Sequence, residues 1–104
     1  MEEEHPMPHP PLPPTFHGTY TVHDQLGKGA FSTVHKCMHR TTLEYFAVKI
    51  IDLRPLRLRP TFDMRRLRRE VEIMQQISHE NIVKLYDVFE ETGSVLMVME
   101  YVEG

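Results

Sequence analysis

From about Thr19 the chain alternates, with Tyr20, Val22 and Leu26 interleaved among polar residues, the period of a half-buried strand. "STVHKCM" resumes the pattern, with Val34 on the returning arm. "EYFAVKIIDL" predicts a third strand. Side chains alternate along a strand, so Phe46, Val48 and Ile50 share one face and Ala47, Lys49 and Ile51 the other. After a basic, proline-punctuated connection the period lengthens. Leu67, Val71 and Met74 recur at three- and four-residue steps and predict an amphipathic helix from about Asp63 to Ile77, capped by Thr61 or Asp63. "IVKLYDVFE" and "SVLMVMEYV" predict two further strands around a Thr92-Gly93 turn. No helix separates the early strands, so they pair antiparallel. The expected fold is α+β: a five-stranded antiparallel sheet with one helix packed on it.

Composition narrows the class. A chain of 104 residues with 40% hydrophobic and 26% charged positions is one small globular domain. The net charge of -3 gives no global pull toward nucleic acid or acidic membranes. The single cysteine, Cys37, excludes an internal disulfide framework and fits a reducing compartment. No apolar run approaches the ~20 residues needed to span a bilayer, and the acidic, proline-broken start is not a secretory signal. The expectation is an intracellular protein, cytoplasmic or nuclear. Six of the eight prolines fall at positions 6, 8, 10, 11, 13 and 14, so residues 1–15 read as a disordered, partly polyproline tail. Its spacing, Pro8-x-x-Pro11 and Pro11-x-x-Pro14, suits an SH3 or WW domain. A solvated tail without a partner is the simpler account. His5, His9 and His17 lack the cysteines or paired carboxylates of a metal site, and no metal ligands are assigned.

"LGKGAFSTV", Leu26 to Val34, carries the chemistry. A dinucleotide-binding loop would place a third glycine at position 32 and lead into a helix. Here position 32 is serine and the residues beyond it are strand-like. The alternative is a hairpin whose Gly27 and Gly29 bring backbone N–H groups close to a phosphate, with Phe31 at its tip shielding the phosphates from water. A plain hairpin would need no lysine downstream, yet Lys49 lies inside an apolar strand, where an ammonium is costly without an anionic partner. Glu70 follows twenty-one residues later in the predicted helix, and a Lys49–Glu70 pair would hold the ammonium against the phosphates. A lysine reaching to the sheet edge and a surface glutamate is the competing account. Glycine loop, strand lysine and helix glutamate in this order favour the nucleotide.

Residues 20–104 resemble the N-terminal lobe of a eukaryotic protein kinase. "LGKGAFSTV" resembles the glycine-rich loop, "FAVK" the lysine strand, "LRREVEIMQQISHENIVKLYDVFE" the regulatory helix and fourth strand, and "LMVMEYVEG" the fifth strand and hinge. Ser32, Cys37 and "NIVKLYDVFE" look most like the calcium/calmodulin-dependent kinase group. Glu80 stands where "H-P-N-I" carries proline. The resemblance divides the chain into the tail and a truncated kinase domain, residues 16–104. It implies that Leu26, Val34 and Ala47 sandwich an adenine and that Gly27, Lys28, Gly29, Ala30, Phe31, Ser32 and Thr33 cover the phosphates of ATP. It further implies that Lys49 contacts the α- and β-phosphates and is oriented by Glu70. Met99 takes the gatekeeper position, and the Glu100 carbonyl and Val102 amide bond the adenine edge. Met74 and Leu85 fall on the regulatory spine, where core packing is an equally good account.

Arg54, Arg57, Arg59, Arg65, Arg66, Arg68 and Arg69 lie within sixteen residues. Without interleaved aromatics or global basicity they do not read as a nucleic-acid surface. The resemblance implies that Arg66, one turn before Glu70, faces the activation loop and would pair with a phosphate there; a solvated helix start accounts for it equally well. The sequence ends at Gly104, at the hinge of the resembled lobe, and holds nothing like H-R-D-x-x-x-x-N or D-F-G. Those motifs supply the catalytic base and the Mg2+ ligands, and the lobe that reads the protein substrate would carry them. Two functions follow: the ATP-binding lobe of a serine/threonine kinase, inactive by itself, or a non-catalytic short product that binds a kinase regulator.

Overall fold

The computed structural model describes residues 14–76 and 84–102, with side chains of the long helix described through Ile73. The five strands are β1 (Tyr20–Lys28), β2 (Ser32–His39), β3 (Tyr45–Asp52), β4 (Leu85–Glu91) and β5 (Ser94–Glu100). They form one sheet in the order β1-β2-β3-β5-β4, and every neighbouring pair is antiparallel. The placement of β5 between β3 and β4 buries the most apolar strand: Val95, Leu96, Met97 and Val98 are all buried.

Because side chains alternate across the sheet, its two faces hold two separate cores. On one face Val48, Val98 and Leu96 meet Cys37, Tyr20 and Phe89. Phe16 completes that face. It belongs to a helix that alternation did not predict, α1 (Phe16–Thr19), whose first turn is closed by the Thr15 hydroxyl accepting from the Gly18 N–H at 3.0 Å. The Phe16 ring stacks on Tyr20 with centroids 5.4 Å apart and meets Phe89 edge-on at 5.7 Å, so a single turn covers the sheet where β1 begins.

On the opposite face Leu85, Val95 and Met97 meet Leu53 and Val71. Leu53 opens a second short helix, α2 (Leu53–Arg57), inside the basic, proline-punctuated connection. The Asp52 carboxylate caps it by accepting from the Arg54 N–H at 3.1 Å and pairs with the Arg54 guanidinium at 3.0 Å, which holds the Asp52 carboxyl below its ordinary range. A further tie runs from the Leu53 N–H to the Gly93 carbonyl at 3.0 Å.

The long helix α3 runs over Met64–Gln76. Asp63, not Thr61, caps it: its carboxylate accepts from the Arg65 N–H at 3.0 Å. Met64, Leu67 and Val71 turn toward the sheet, and Arg68 bonds the Glu90 carboxylate of β4 at 3.0 and 3.1 Å. Ile77, where the helix was expected to end, and the Ile82-Val83 start of the fourth strand lie outside the described residues, as do residues 1–13 of the tail. Tyr101 and Val102 lie beyond the end of β5.

Candidate functional site

The glycine hairpin joins β1 to β2 through a short tip, with the Gly29 N–H donating to the Ser32 carbonyl at 2.7 Å. Neither glycine of the loop adopts a positive φ. Their value is therefore space, not backbone freedom. A Cβ on Gly27 would meet no heavy atom within 4 Å, whereas one on Gly29 would stand 3.0 Å from the Ser32 Oγ.

That space opens over a defined row of residues. Gly27 pairs with Val34, Val34 with Lys49, and Lys49 with Met97; opposite residues in an antiparallel ladder project from the same face. The next row runs Lys36, Ala47, Met99 and Leu85. The sheet thus sets a notch at Gly27 beside Val34, Lys49, Ala47 and Met99. Ala47 is buried, while Lys49, Val34 and Met99 are half-buried, leaving an accessible apolar wall with one ammonium in it. Leu26 falls inside a register shift between Gln25 and Gly27 and is 48% exposed. At the other end Glu100 pairs with Phe46, donates its N–H to the Lys84 carbonyl at 3.0 Å, and is followed by an exposed Val102. Lys28, Ala30, Ser32 and Thr33 stay with Gly29 and Phe31 at the hairpin tip, on the rim of a cavity of about 300 Å³ reaching Ile50 and Asp52.

The Phe31 ring lies at the tip with the Arg59 guanidinium over it, 4.5 Å from the centroid. One arrangement differs from the sequence expectation: Lys49 and Glu70 do not pair in this structure. The Glu70 carboxylate accepts from Arg66 at 3.3 Å, and its side chain is 58% exposed. The reason is helical geometry: a residue four positions earlier is always a neighbour. Meanwhile α3 is moored toward β4 by Arg68 and Glu90, away from the strand that carries Lys49. Leu85 is buried in the helix-side core, whereas the Met74 side chain lies outside the described residues.

Some neighbours of the site were not legible beforehand. Lys36, opposite Ala47, sits over the rings of Tyr45 and Tyr101 at 4.2 and 4.8 Å, placing a second ammonium beside the end of β5. Arg59 and Arg68 find partners 28 and 22 positions away, separations at which no spacing rule operates.

The protein kinase domain model matches residues 20–104. The chain belongs to the protein kinase domain family. Its sheet with α3 is the kinase N-terminal lobe, and the curated relatives agree. Myosin light chain kinase 3 of Rattus norvegicus is 41% identical over 88 residues, covering 83% of this chain and 11% of that protein. Calcium/calmodulin-dependent protein kinase type II of Caenorhabditis elegans is 42% identical over 89 residues, 86% of this chain and 12% of that protein. Serine/threonine-protein kinase DCLK3 of Mus musculus is 38% identical over 85 residues, 82% of this chain and 10% of that protein. The kinase lobe described here therefore spans between a tenth and an eighth of the length of these three relatives.

Proposed function

We propose that this chain is the ATP-binding lobe of a protein serine/threonine kinase, which in the complete enzyme serves transfer of a phosphoryl group from ATP to protein hydroxyls. The observation that carries the reading is the row Gly27–Val34–Lys49–Met97. It sets a glycine notch, an apolar wall and a lysine on one face, which is what a flat apolar base joined to a polyanion requires. The residues fit the nucleotide: Leu26, Val34, Ala47 and Met99 would take the adenine, and the hairpin N–H groups and Lys49 the phosphates. The Glu100 carbonyl and Val102 amide would meet the adenine edge. Magnesium would supply charge neutralisation on the phosphates, but its ligands and the catalytic base belong to motifs these 104 residues do not contain. Taken alone, the residues position a nucleotide without a base to activate the acceptor hydroxyl, so the expected phosphotransfer is nil.

Glu70 is the residue that would orient Lys49. Reaching it requires exchanging the Arg66 partner, an exposed pair at four-residue spacing that stabilises by only about 0.3–0.5 kcal/mol. The test is a titration of the chain with MgATP followed on the backbone resonances of Gly27, Gly29 and Val34 and on the Lys49 side chain. Saturable shifts at these residues and at the adenine-side Leu26, Ala47, Met99 and Val102, in the millimolar range and lost in Lys49→Met, are expected. Shifts absent up to the solubility of the nucleotide would refute the ATP-binding assignment.

A further inference from the structure

The turn of the glycine hairpin is two residues long. The Gly29 N–H donates to the Ser32 carbonyl at 2.7 Å, with Ala30 and Phe31 between them. The Asp52 N–H donates to the Phe31 carbonyl at 2.8 Å, which carries the β2–β3 pairing one step past Ser32 and Ile51. The N–H groups of Ala30 and Phe31 have no backbone acceptor among the described residues. They are what the tip has left to offer an anion.

The Phe31 side chain is held from outside the hairpin. It is half-buried although it stands at a hairpin tip, and the Arg59 guanidinium lies over its ring, 4.5 Å from the centroid. Arg59 reaches it from a fixed backbone. Its N–H donates to the Leu56 carbonyl at 3.0 Å, and its carbonyl accepts from the Phe62 N–H at 3.1 Å. The guanidinium makes no ion pair among the described residues, so the ring is the partner the geometry gives it. A segment ordered only on binding costs affinity, whereas one ordered beforehand does not.

We propose that Arg59 is a positioning residue for the nucleotide: by holding the Phe31 ring it keeps the tip in the conformation that presents the Ala30 and Phe31 N–H groups to the phosphates. The role rests on the ATP-binding assignment. Arg59 acts on the free chain, before the nucleotide arrives. Without it the tip is ordered at the nucleotide's expense, and the strength of a cation–π contact at an exposed site sets the scale, about 2- to 5-fold in affinity. The loss falls on the phosphates alone, because Val34, Ala47 and Met99 are held in β2, β3 and β5.

The test titrates the whole chain and its variants with MgATP and with adenosine, followed on the backbone amides. Arg59→Ala should weaken MgATP about 2- to 5-fold and leave adenosine unchanged. In the nucleotide-free variant the heteronuclear NOE of Ala30, Phe31 and Ser32 should fall. Arg59→Lys, which keeps a cation for the ring, should restore most of the affinity, and Arg59→Gln should not. In a Phe31→Leu background Arg59→Ala should add no further loss, because it acts through the ring. Additive losses, which make Arg59 a direct phosphate contact, overturn the proposal. So do MgATP and adenosine weakened alike, MgATP bound more tightly by Arg59→Ala, or a tip equally ordered without Arg59. An unmutated chain that binds no MgATP refutes the nucleotide assignment and this role with it; a bound MgATP whose affinity ignores Arg59 overturns the role alone.

Discussion

Replacing Gly27 with valine separates the fold from the site. A Cβ at this position meets nothing within 4 Å, and the residue is already in extended strand backbone without a positive φ. Valine suits a strand better than glycine, which pays more backbone entropy, so stability should hold or rise by up to about 1 kcal/mol. The new side chain, however, projects from the face of Val34 and Lys49, into the space where the loop backbone is assigned to approach phosphate. Losing one charge-assisted hydrogen bond to a phosphate costs about 1.5–3 kcal/mol, a fall in affinity of roughly 10- to 150-fold. The assay is paired: urea unfolding for the fold and MgATP titration for the site, with Gly29→Ala as comparison, since its Cβ would crowd only the rotatable Ser32 hydroxyl. An unchanged affinity in a folded Gly27→Val chain would refute the reasoning, because the open space over Lys49 would then not be the nucleotide's.

Four further outcomes are expected. Phe16→Ala should cost about 3–5 kcal/mol in denaturant unfolding, because the fully buried ring sits among Tyr20 and Phe89, although the family match begins only at residue 20. Leu43, with φ 62° and an exposed side chain, is held in the left-handed region, so Leu43→Gly should raise stability by about 1 kcal/mol, read as a higher urea midpoint. A double-mutant cycle of Arg68→Ala and Glu90→Ala should return a coupling below about 1 kcal/mol, since both partners of the 3.0 Å pair are about half exposed. Burial pushes the Cys37 thiol from 9.0 up to about 11. The unfolded chain releases that proton first, so stability is intact below pH 9 and falls toward pH 11 by about 1.4 kcal/mol per pH unit. Tyr20, pushed from 10.0 up to about 12 by burial and by Asp87 and Cys37, extends the decline. In Cys37→Ala, urea midpoints should flatten between pH 9 and 10, with the Tyr20 decline remaining above pH 10.

The alternation of apolar residues determined most of this lobe by itself. A strand read from Phe46, Val48 and Ile50 against Ala47, Lys49 and Ile51 has only two faces, and the two cores divide along that line. The helix was equally legible, since Leu67 and Val71 recur at the step that brings side chains under one another, and its cap was one of two residues named in advance. The glycine loop and the lysine could be proposed together because local motifs carry their own geometry.

What the sequence left open were contacts between distant positions. Phe16 lies just outside the strand pattern, and a single turn has too few residues to show a period; only Tyr20 and Phe89 beneath it reveal what it covers. Leu53 likewise hid in a connection punctuated by prolines, and its burial depends on α3 and β5 meeting above it. The choice of partner for Glu70 was decided in the same way. Motif order pairs it with Lys49, but a carboxylate pairs with whichever cation the packing brings within reach. In this structure the helix supplies Arg66 at 3.3 Å, while the Arg68–Glu90 bridge moors α3 to β4. Periodicity reports which face of an element is apolar; where two elements come to rest against each other is set by the fit of many side chains at once, and that information exists only in three dimensions.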